Sequence, residues 1–304
     1  MIAAHAIQRQ GALAEIMDET GHCLTFYPPT GHEQSEPQRR GWREASTFTG
    51  FCDRHDSKTF APLETRAFIG TPEQGFLLAY RAECHELYQK QASDRSHNPL
   101  RQIADRGMSR EDQEQVQALH AVVGEGVKKG LHDSRHYKGL MDAELLAASF
   151  DAYSTLFVQF EGEIGIAGTG APTPNRSFAG EELCALHDPT TLIPRLYVGL
   201  VPAERGGAAV FVWRKGESGP ERFMTDLRGL SWGVIPGVVV QFILAYIENT
   251  YFSAAWWRSL DDREKLHVRS LATMGNPYYT TWSYRDLRVP WKIVSISDRW
   301  RSSP

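Results

Sequence analysis

The order of hydrophobic periodicities along the chain most strongly limits the folds available to it. Apolar residues recur at helical spacing between residues 71 and 130, alternate with polar residues between 155 and 168, and return to helical spacing after residue 236. Grouped helices followed by neighbouring strands are typical of α+β domains, whereas α/β domains alternate the two element types. The sequence therefore predicts an α+β fold with an antiparallel sheet between groups of helices.

Proline, glycine, histidine and cysteine set the first 64 residues apart from the rest of the chain. Four of the eleven histidines and two of the four cysteines lie there, among short apolar pieces separated by proline and glycine. Such a composition favours a small loop-rich module over a packed core layer. A chain of 304 residues has room for this module and a larger domain. We therefore predict a finger-like module at residues 1–64 and an α+β body at residues 65–304.

Capping signals and apolar spacing predict the elements of the body. Thr71, Pro72 and Gln74 supply a capping hydroxyl, a proline for the first helical turn and a glutamine that completes a capping box. A polar connection is expected at residues 93–107. The predicted elements are helices at 71–92, 109–130 and 142–152, a sheet at 155–226, helices at 236–274 and a C-terminal tail at 276–304.

Composition and charge exclude several classes of protein. With 41% hydrophobic and 23% charged residues, the chain is near the average of soluble globular proteins. A formal net charge of -4 argues against a globally basic nucleic-acid-binding protein, but not against a local basic patch. The four cysteines form no compact disulfide framework, and neither a signal peptide nor an apolar span of about 20 residues is present. These features predict a cytoplasmic protein without membrane contact.

The sharpest candidate metal site is a Cys-x-x-His pair formed by Cys52 and His55. Two intervening residues allow both side chains to turn toward one tetrahedral ion, but a structural zinc ion needs four ligands. The other nearby candidates are Cys23, His22 and His32. The alternative interpretation is a buried cysteine beside a surface histidine, with no metal.

The residues around this pair resemble those of a known group of proteins. The run Ala45–Cys52 with His55-Asp56, preceded by Ala4-His5-Ala6-Ile7-Gln8, resembles an uncharacterised bacterial family whose N-terminal module is similar to the treble-clef finger of HNH endonucleases. The run Asn249–Phe252, before Trp256-Trp257, extends the resemblance toward the C-terminus. The resemblance implies a finger in which a β-hairpin leads into a helix.

The resemblance also assigns roles to individual residues. His5 matches the general-base histidine, Cys52 and His55 match the second metal-binding knuckle, and Asp56 matches the catalytic metal ligand. A histidine that deprotonates water and a carboxylate that holds a divalent ion form a sensible pair for phosphodiester hydrolysis. The resemblance thus implies structural Zn²⁺, catalytic Mg²⁺ or Mn²⁺, and a nucleic-acid substrate. Among the nearby candidates, Cys23 is the predicted further zinc ligand.

The sequence departs from the HNH pattern in three respects. No cysteine knuckle precedes His5, Ala4 stands where an acidic ligand often lies, and no asparagine occurs between His5 and Asp56 to orient the base. Two hypotheses therefore stay open for this module. It is an HNH-like nuclease or its inactive descendant, associated with bacterial defence, or it is a non-enzymatic interaction protein stabilised by zinc.

Candidate phosphate contacts lie in two basic clusters. Arg39, Arg40 and Arg43 flank Trp42, and Lys128 and Lys129 lie before the third predicted helix. The first 60 residues contain six basic and eight acidic residues, so the module alone is not basic. In the C-terminal tail, basic residues alternate with aromatic ones. That pattern suits either a groove for single strands or a pair of strands that pack their aromatic side chains on the body.

A third hypothesis concerns Gly229-Leu230-Ser231-Trp232-Gly233, which matches the nucleophile-elbow pattern of serine hydrolases. If residues 223–227 form a strand, Ser231 lies on a strand-to-helix turn, and Asp262 and His267 follow in the order acid, histidine. The acid and the histidine are only five residues apart, however, and the preceding strands are predicted to be antiparallel. A glycine-rich connection before a buried helix is the alternative.

Two further pairs of candidate ligands have metal-ligand spacing. Cys184 and His187 repeat the Cys-x-x-His pattern, and His132 and His136 stand four residues apart without the glutamate of the zinc-protease motif. The segment that contains His132 and His136 is predicted to be a loop, so these two are expected to be solvated surface histidines.

Overall fold

The computed structural model describes residues 2–27, 36–184, 188, 190–203, 206–274, 287 and 289–299. Within them, helices pack on both faces of a large antiparallel sheet, which confirms the predicted α+β class. In chain order, the elements are β1 Ala4–His5, a π-helical turn Arg9–Leu13, α1 Ala14–Ile16, β2 His22–Thr25, β3 Gln38–Gly41, β4 Thr47–Phe48, α2 Asp53–Thr59, α3 Ala61–Glu64, α4 Pro72–Arg101, α5 Arg110–Leu146, β5 Tyr153–Glu161, β6 Ile166–Gly170, β7 Leu196–Ala203, β8 Gly206–Arg214, α6 Ser218–Gly229, α7 Ile235–Tyr246, β9 Thr250–Phe252, α8 Ala254–Ser259, α9 Asp262–Met274 and β10 Lys292–Ser297.

The main sheet has eight strands in the order β10-β5-β8-β7-β6-β9-β2-β3. Side chains alternate between its two faces, and both faces are covered. On β8, Val210 and Val212 pack in the core beneath α4, whereas Ala209 and Phe211 pack in the opposite core with α6 and α7. Because both faces are buried, the central strands are apolar at nearly every position.

Helix α4 begins where the capping signals predict. The Thr71 hydroxyl accepts a hydrogen bond from the Gln74 backbone N–H, and the Gln74 side chain completes the capping box. The helix then crosses the sheet over β5 to β8. Gly199 of β7 allows this close approach, because a Cβ atom there would lie 2.9 Å from a methyl carbon of Leu78.

The two long helices extend beyond their predicted ends. α4 continues to Arg101, so the predicted connection at residues 93–107 is helical as far as that residue. α5 runs unbroken to Leu146, so the predicted helix at 142–152 is only the end of α5, and residues 147–152 lie outside it. None of the helices in the described ranges is both long and apolar enough to span a bilayer.

Contacts between α4 and α5 explain these corrections. The polar end of α4 is paired with α5: Arg101 Nε donates to Gln117 Oε1 at 2.7 Å, and the Gln117 amide donates to the Arg101 carbonyl at 3.1 Å. Farther along α5, Leu131, Tyr137 and Met141 are buried on one side. Polar residues in both segments thus hold the two helices together. Sequence periodicity alone assigns such polar segments to loops.

Two corrections concern the second half of the body. The predicted sheet at residues 155–226 ends at β8, and α6 follows, with Phe223 and Leu227 buried one helical turn apart. The predicted helical region at 236–274 is interrupted by β9, which pairs with β6 and β2. Strand pairing, and not helical periodicity, therefore determines the conformation of the apolar residues in β9.

The N-terminal segment contributes to two different sheets. β2 and β3 form one edge of the main sheet, and Leu24 of β2 pairs with Phe252 of β9. β1 and β4 form a separate two-stranded sheet. The main sheet therefore includes strands from both sides of the predicted boundary at residue 64.

The C-terminal tail supplies strand β10, which pairs with β5 at the other edge of the main sheet. Trp291 is buried there, and its indole N–H donates to the Glu163 carbonyl at 3.0 Å. This contact agrees with the alternative in which the tail packs aromatic side chains on the body. Residues 275–286, which hold Tyr278, Tyr279, Trp282 and Tyr284, lie outside the described residues.

Candidate functional site

The structure brings the two ends of the finger motif together. β1 and β4 are antiparallel, with His5 opposite Thr47, and Cys52 directly precedes helix α2. The backbone N–H of Ile2 also donates to the Phe51 carbonyl at 3.0 Å, which joins the start of β1 to the loop before the helix. His5 thus lies on a two-stranded sheet that leads directly into the helix that carries His55 and Asp56.

Ser46 fixes this arrangement to the body of the protein. It has a left-handed backbone, with φ 59°, that few residues other than glycine adopt. Its hydroxyl accepts the Ile7 N–H at 2.9 Å, its carbonyl accepts the Ala6 N–H at 2.7 Å, and its own N–H donates to the Tyr251 hydroxyl at 2.7 Å. These hydrogen bonds link β1, β4 and β9, so His5 is held by the main sheet as well as by its own strand.

A backbone carbonyl fixes the tautomer of His5. His5 Nε2 lies 2.9 Å from the carbonyl oxygen of Trp42. Because a carbonyl can only accept, Nε2 must carry a hydrogen, and the neutral ring then has its lone pair on Nδ1. His5 is therefore oriented as a proton acceptor through Nδ1, although no asparagine is present to do so.

Asp56 lies on α2 in a partly buried setting. Its Oδ1 is buried and accepts no hydrogen bond from the described residues. Burial raises the pKa of this carboxyl, the positive charge of Arg81 lowers it, and the Glu64 carboxylate raises it. A half-buried carboxylate with an unused oxygen is suited to a cation.

The predicted zinc ligands are divided between two places. Cys52 Sγ lies 3.2 Å from His55 Nδ1, and both side chains are exposed. Cys23 lies apart from them on β2, in an apolar cluster with Ile7 and Leu13. Burial raises the pKa of its thiol to about 12. No group of three or more histidine, cysteine or acidic side chains suited to a metal occurs within the described ranges.

These donor sets differ in the ions they fit. The Asp56 carboxylate could contribute to binding Mg²⁺ or Mn²⁺, which are commonly bound through one or two carboxylates together with water and substrate phosphate. Cys52 and His55 provide two of the four donors of a structural zinc site. Of the other candidate ligands, His22 accompanies Cys23 on β2, and His32 lies outside the described residues.

Most of the predicted phosphate-binding cations have partners within the protein. Arg39 pairs with Asp18 at 2.8 Å, and Arg40 lies 3.7 Å from Glu44. On α5, Lys128 pairs with Glu125 at 2.9 Å, and Lys129 pairs with the buried Asp133 at 3.2 Å. Arg43 differs, because its guanidinium lies over the Trp42 ring at 5.1 Å. Trp42 also accepts the His5 ring N–H through its backbone carbonyl, so Arg43 is linked to His5 through Trp42.

The other sequence candidates lie in settings that suit catalysis less well. Ser231 is exposed between α6 and α7, so the strand predicted at residues 223–227 is wrong and the strand-to-helix turn of a nucleophile elbow is missing there. His267 Nε2 lies 2.8 Å from the Gln241 side-chain oxygen. His132 and His136 belong to α5, so the predicted loop is wrong, and both are exposed. His187 lies outside the described residues.

Comparisons with protein families, with curated proteins and with solved structures find no match to this chain. Its function must therefore be inferred from the chemistry of its own side chains.

A buried polar network beneath α4 escapes detection in the sequence. Glu83 is fully buried, and its carboxylate accepts a hydrogen bond from the Tyr197 hydroxyl at 3.1 Å and lies 3.9 Å from Arg195 Nε. Arg195 also donates to the Ser134 hydroxyl at 2.9 Å. The sequence signal is an acidic residue inside the buried part of α4, and its partners come from α5, from β7 and from the residue that precedes β7.

The network predicts an unusual pH dependence of stability. Burial raises the pKa of Glu83 to about 7, from 4.5, although Arg195 lowers it. Because the folded protein binds this proton more tightly than the unfolded chain, the stabilisation is complete below pH 4.5 and is lost as the pH rises through 7.

We expect Glu83→Gln, which cannot titrate, to lack this effect. The free energy of unfolding of the wild type, relative to that of Glu83→Gln, should fall by about 3 kcal/mol between pH 4.5 and pH 8. Urea unfolding of both proteins across this range measures it. A constant difference would show that Glu83 keeps an ordinary pKa in the folded protein.

Proposed function

We propose that this protein is an HNH-like, metal-dependent phosphodiesterase that acts on nucleic acid, with His5 and Asp56 as its catalytic residues. The observation that carries the proposal is the setting of His5. The Trp42 carbonyl at 2.9 Å directs the lone pair of the ring to Nδ1, and the helix that follows the two-stranded sheet bears a carboxylate with an unused buried oxygen.

In the proposed mechanism, each residue has one task. His5 Nδ1 accepts a proton from the attacking water, while Nε2 stays bound to the Trp42 carbonyl and prevents the ring from turning. Asp56 would hold Mg²⁺ or Mn²⁺, which when bound stabilises negative charge on the phosphate oxygens. The raised pKa of Asp56 implies that a cation is favourable there, because a positive charge offsets the cost of burying the carboxylate.

Trp42 and Arg43 support nucleic acid as the substrate. The Trp42 side chain is 36% exposed, its carbonyl holds His5, and the Arg43 guanidinium lies over its ring. An exposed indole can stack on a nucleobase, and a cation beside it can contact the phosphate backbone. The base-stacking and phosphate-binding groups would then adjoin the catalytic histidine. The four cysteines are free, which supports action in the reducing cytoplasm.

The direct test is cleavage of DNA and RNA, single-stranded and duplex, by purified protein with Mg²⁺ or Mn²⁺ and with EDTA. We expect cleavage that requires a divalent ion and is abolished by the chelator. The absence of cleavage of every substrate under all metal conditions would contradict the proposal and favour an inactive descendant.

A second candidate function rests on the 3.2 Å approach of Cys52 Sγ to His55 Nδ1. This geometry suits a non-enzymatic interaction module in which zinc stabilises the finger. If the pair binds structural zinc, Cys52→Ala should lower both the zinc content and the melting temperature, since metal-binding free energy is coupled to folding. Atomic-emission analysis and thermal unfolding would measure these effects. An unchanged zinc content in Cys52→Ala would exclude the pair as ligands.

A further inference from the structure

Two adjoining cavities lie beside α4, and neither His5 nor Asp56 is among their lining residues. The larger has a volume of about 300 Å³ and the smaller about 180 Å³. They share His85, Gln89 and Asn249, so they form one cleft, named here the α4 cleft. Its combined size is in the lower range of small-molecule sites.

Most of the charged side chains that line the α4 cleft are already neutralised. Glu86 pairs with Lys90 at 3.2 Å. Arg195 lies beside Glu83 and donates to Ser134.

Glu248 is the exception. Its carboxylate forms no hydrogen bond or ion pair with any side chain in the described part of the chain. Burial raises its pKa, the charge of Glu86 raises it further, and the charge of Lys90 lowers it. Arg40 and Glu44, the other two of the six charged residues of the lining, lie 3.7 Å from each other. Glu248 therefore offers a carboxylate that no side chain in the described part of the chain contacts directly.

The neutral polar groups of the α4 cleft are mainly available as acceptors. The Gln89 amide donates to the Tyr27 hydroxyl at 2.9 Å, and the Asn249 amide donates to the Thr169 carbonyl at 3.3 Å. Each bond uses one of the two N–H groups of its amide, and both side-chain carbonyl oxygens are left to accept. The lining therefore suits a ligand rich in hydrogen-bond donors.

His85 is a second and independent sign of a ligand. Its side chain is only 8% exposed, it lines both cavities, and it forms no hydrogen bond with any described residue. Burial lowers the pKa of His85, so the ring is neutral and does not repel a cation. Buried polar side chains are normally satisfied by a partner, and a bound molecule would supply one here.

We propose that the α4 cleft binds a small aliphatic amine, with its ammonium group on Glu248 and further N–H donors on His85, Gln89 and Asn249. The apolar part of the wall, formed by Ala171, Pro172 and Ile247, would contact the methylene groups. A bare metal ion fits less well, because the remaining acceptors are neutral amides and an imidazole and Glu86 is already paired with Lys90.

Calorimetric titration with putrescine tests this site, with succinate as an anionic probe of the same chain length. We expect putrescine to bind and succinate not to bind. Glu248→Gln should weaken putrescine binding by about tenfold or more, because a hydrogen bond between two charged groups is lost. Glu111→Gln is the matched control, since Glu111 is an exposed carboxylate on α5 outside the lining. The control should bind putrescine like the wild type.

Three results would overturn the proposal. They are no binding of putrescine to the wild-type protein, equal binding of putrescine and succinate, or equal weakening in Glu248→Gln and Glu111→Gln. Circular dichroism of both variants checks that the fold is retained. The α4 cleft and the His5–Asp56 pair share no residues, so nuclease activity and amine binding can each fail without the other.

Discussion

Replacing His5 with alanine is expected to lower the rate of phosphodiester cleavage by about 100-fold to 10,000-fold, the usual contribution of a general base. The effect should fall on the catalytic rate rather than on folding. His5 is half-buried. Its side-chain hydrogen bond to the Trp42 carbonyl contributes little to stability compared with the backbone hydrogen bonds of Ala6 and Ile7.

Asp56→Asn should reduce cleavage in the same way and weaken the dependence on divalent ions. The substitution is nearly isosteric and removes a partly desolvated charge, so the variant should be at least as stable as the wild type. His136→Ala on α5 is the matched control, because this histidine is exposed and lies outside the finger. It should cleave at the wild-type rate.

The decisive measurement compares these variants at equal concentrations of folded protein. Equal residual cleavage in the wild type, His5→Ala and Asp56→Asn would identify a contaminating nuclease and exclude the proposed catalytic pair. A loss of stability confined to Cys52→Ala, without any cleavage in the wild type, would leave the zinc-stabilised module as the better interpretation.

Arg195→Met is expected to destabilise the protein by about 3 to 5 kcal/mol at pH 8, the usual cost of removing one partner from a buried ion pair. Arg195 is 6% exposed and lies beside the fully buried Glu83. Without the guanidinium, an ionised Glu83 has no opposite charge beside it. The effect should be smaller at pH 5, where Glu83 can be protonated in the folded protein.

Arg222→Met is the control for the loss of an arginine from an ion pair. Arg222 pairs with Glu181 at 2.7 Å, but both side chains are about half exposed or more. Such surface pairs contribute roughly 0 to 1 kcal/mol. Guanidinium chloride unfolding would compare the two variants. If Arg195→Met loses no more stability than Arg222→Met, the buried pair does not stabilise the fold as proposed.

Local signals predicted some elements and failed for others. The capping box at Thr71 and the alternating pattern of β5 depend on neighbouring residues, so sequence alone located both. The polar end of α4 and the strand Thr250–Phe252 have partners far away in the chain, and local periodicity assigned both wrongly. Segments whose conformation depends on a distant partner cannot be identified from their own residues.

The candidate site shows the same division. Sequence resemblance named His5, Cys52, His55 and Asp56. Their neighbourhood follows from the pairing of β1 with β4, which closes a loop of about forty residues. The Trp42 carbonyl that selects the tautomer of His5 belongs to the backbone, so no residue type could have indicated it.

The sequence by itself determined the fold class and the helix start at Thr71, because apolar periodicity and capping chemistry act over a few residues. Only the tertiary structure decided that strands from the first 64 residues complete the main sheet, and that Glu83 meets Arg195 and Tyr197. Those contacts join residues as many as 228 positions apart, such as Leu24 and Phe252. Which charges are buried together therefore depends on how the chain packs, and the pKa of Glu83 follows from that packing.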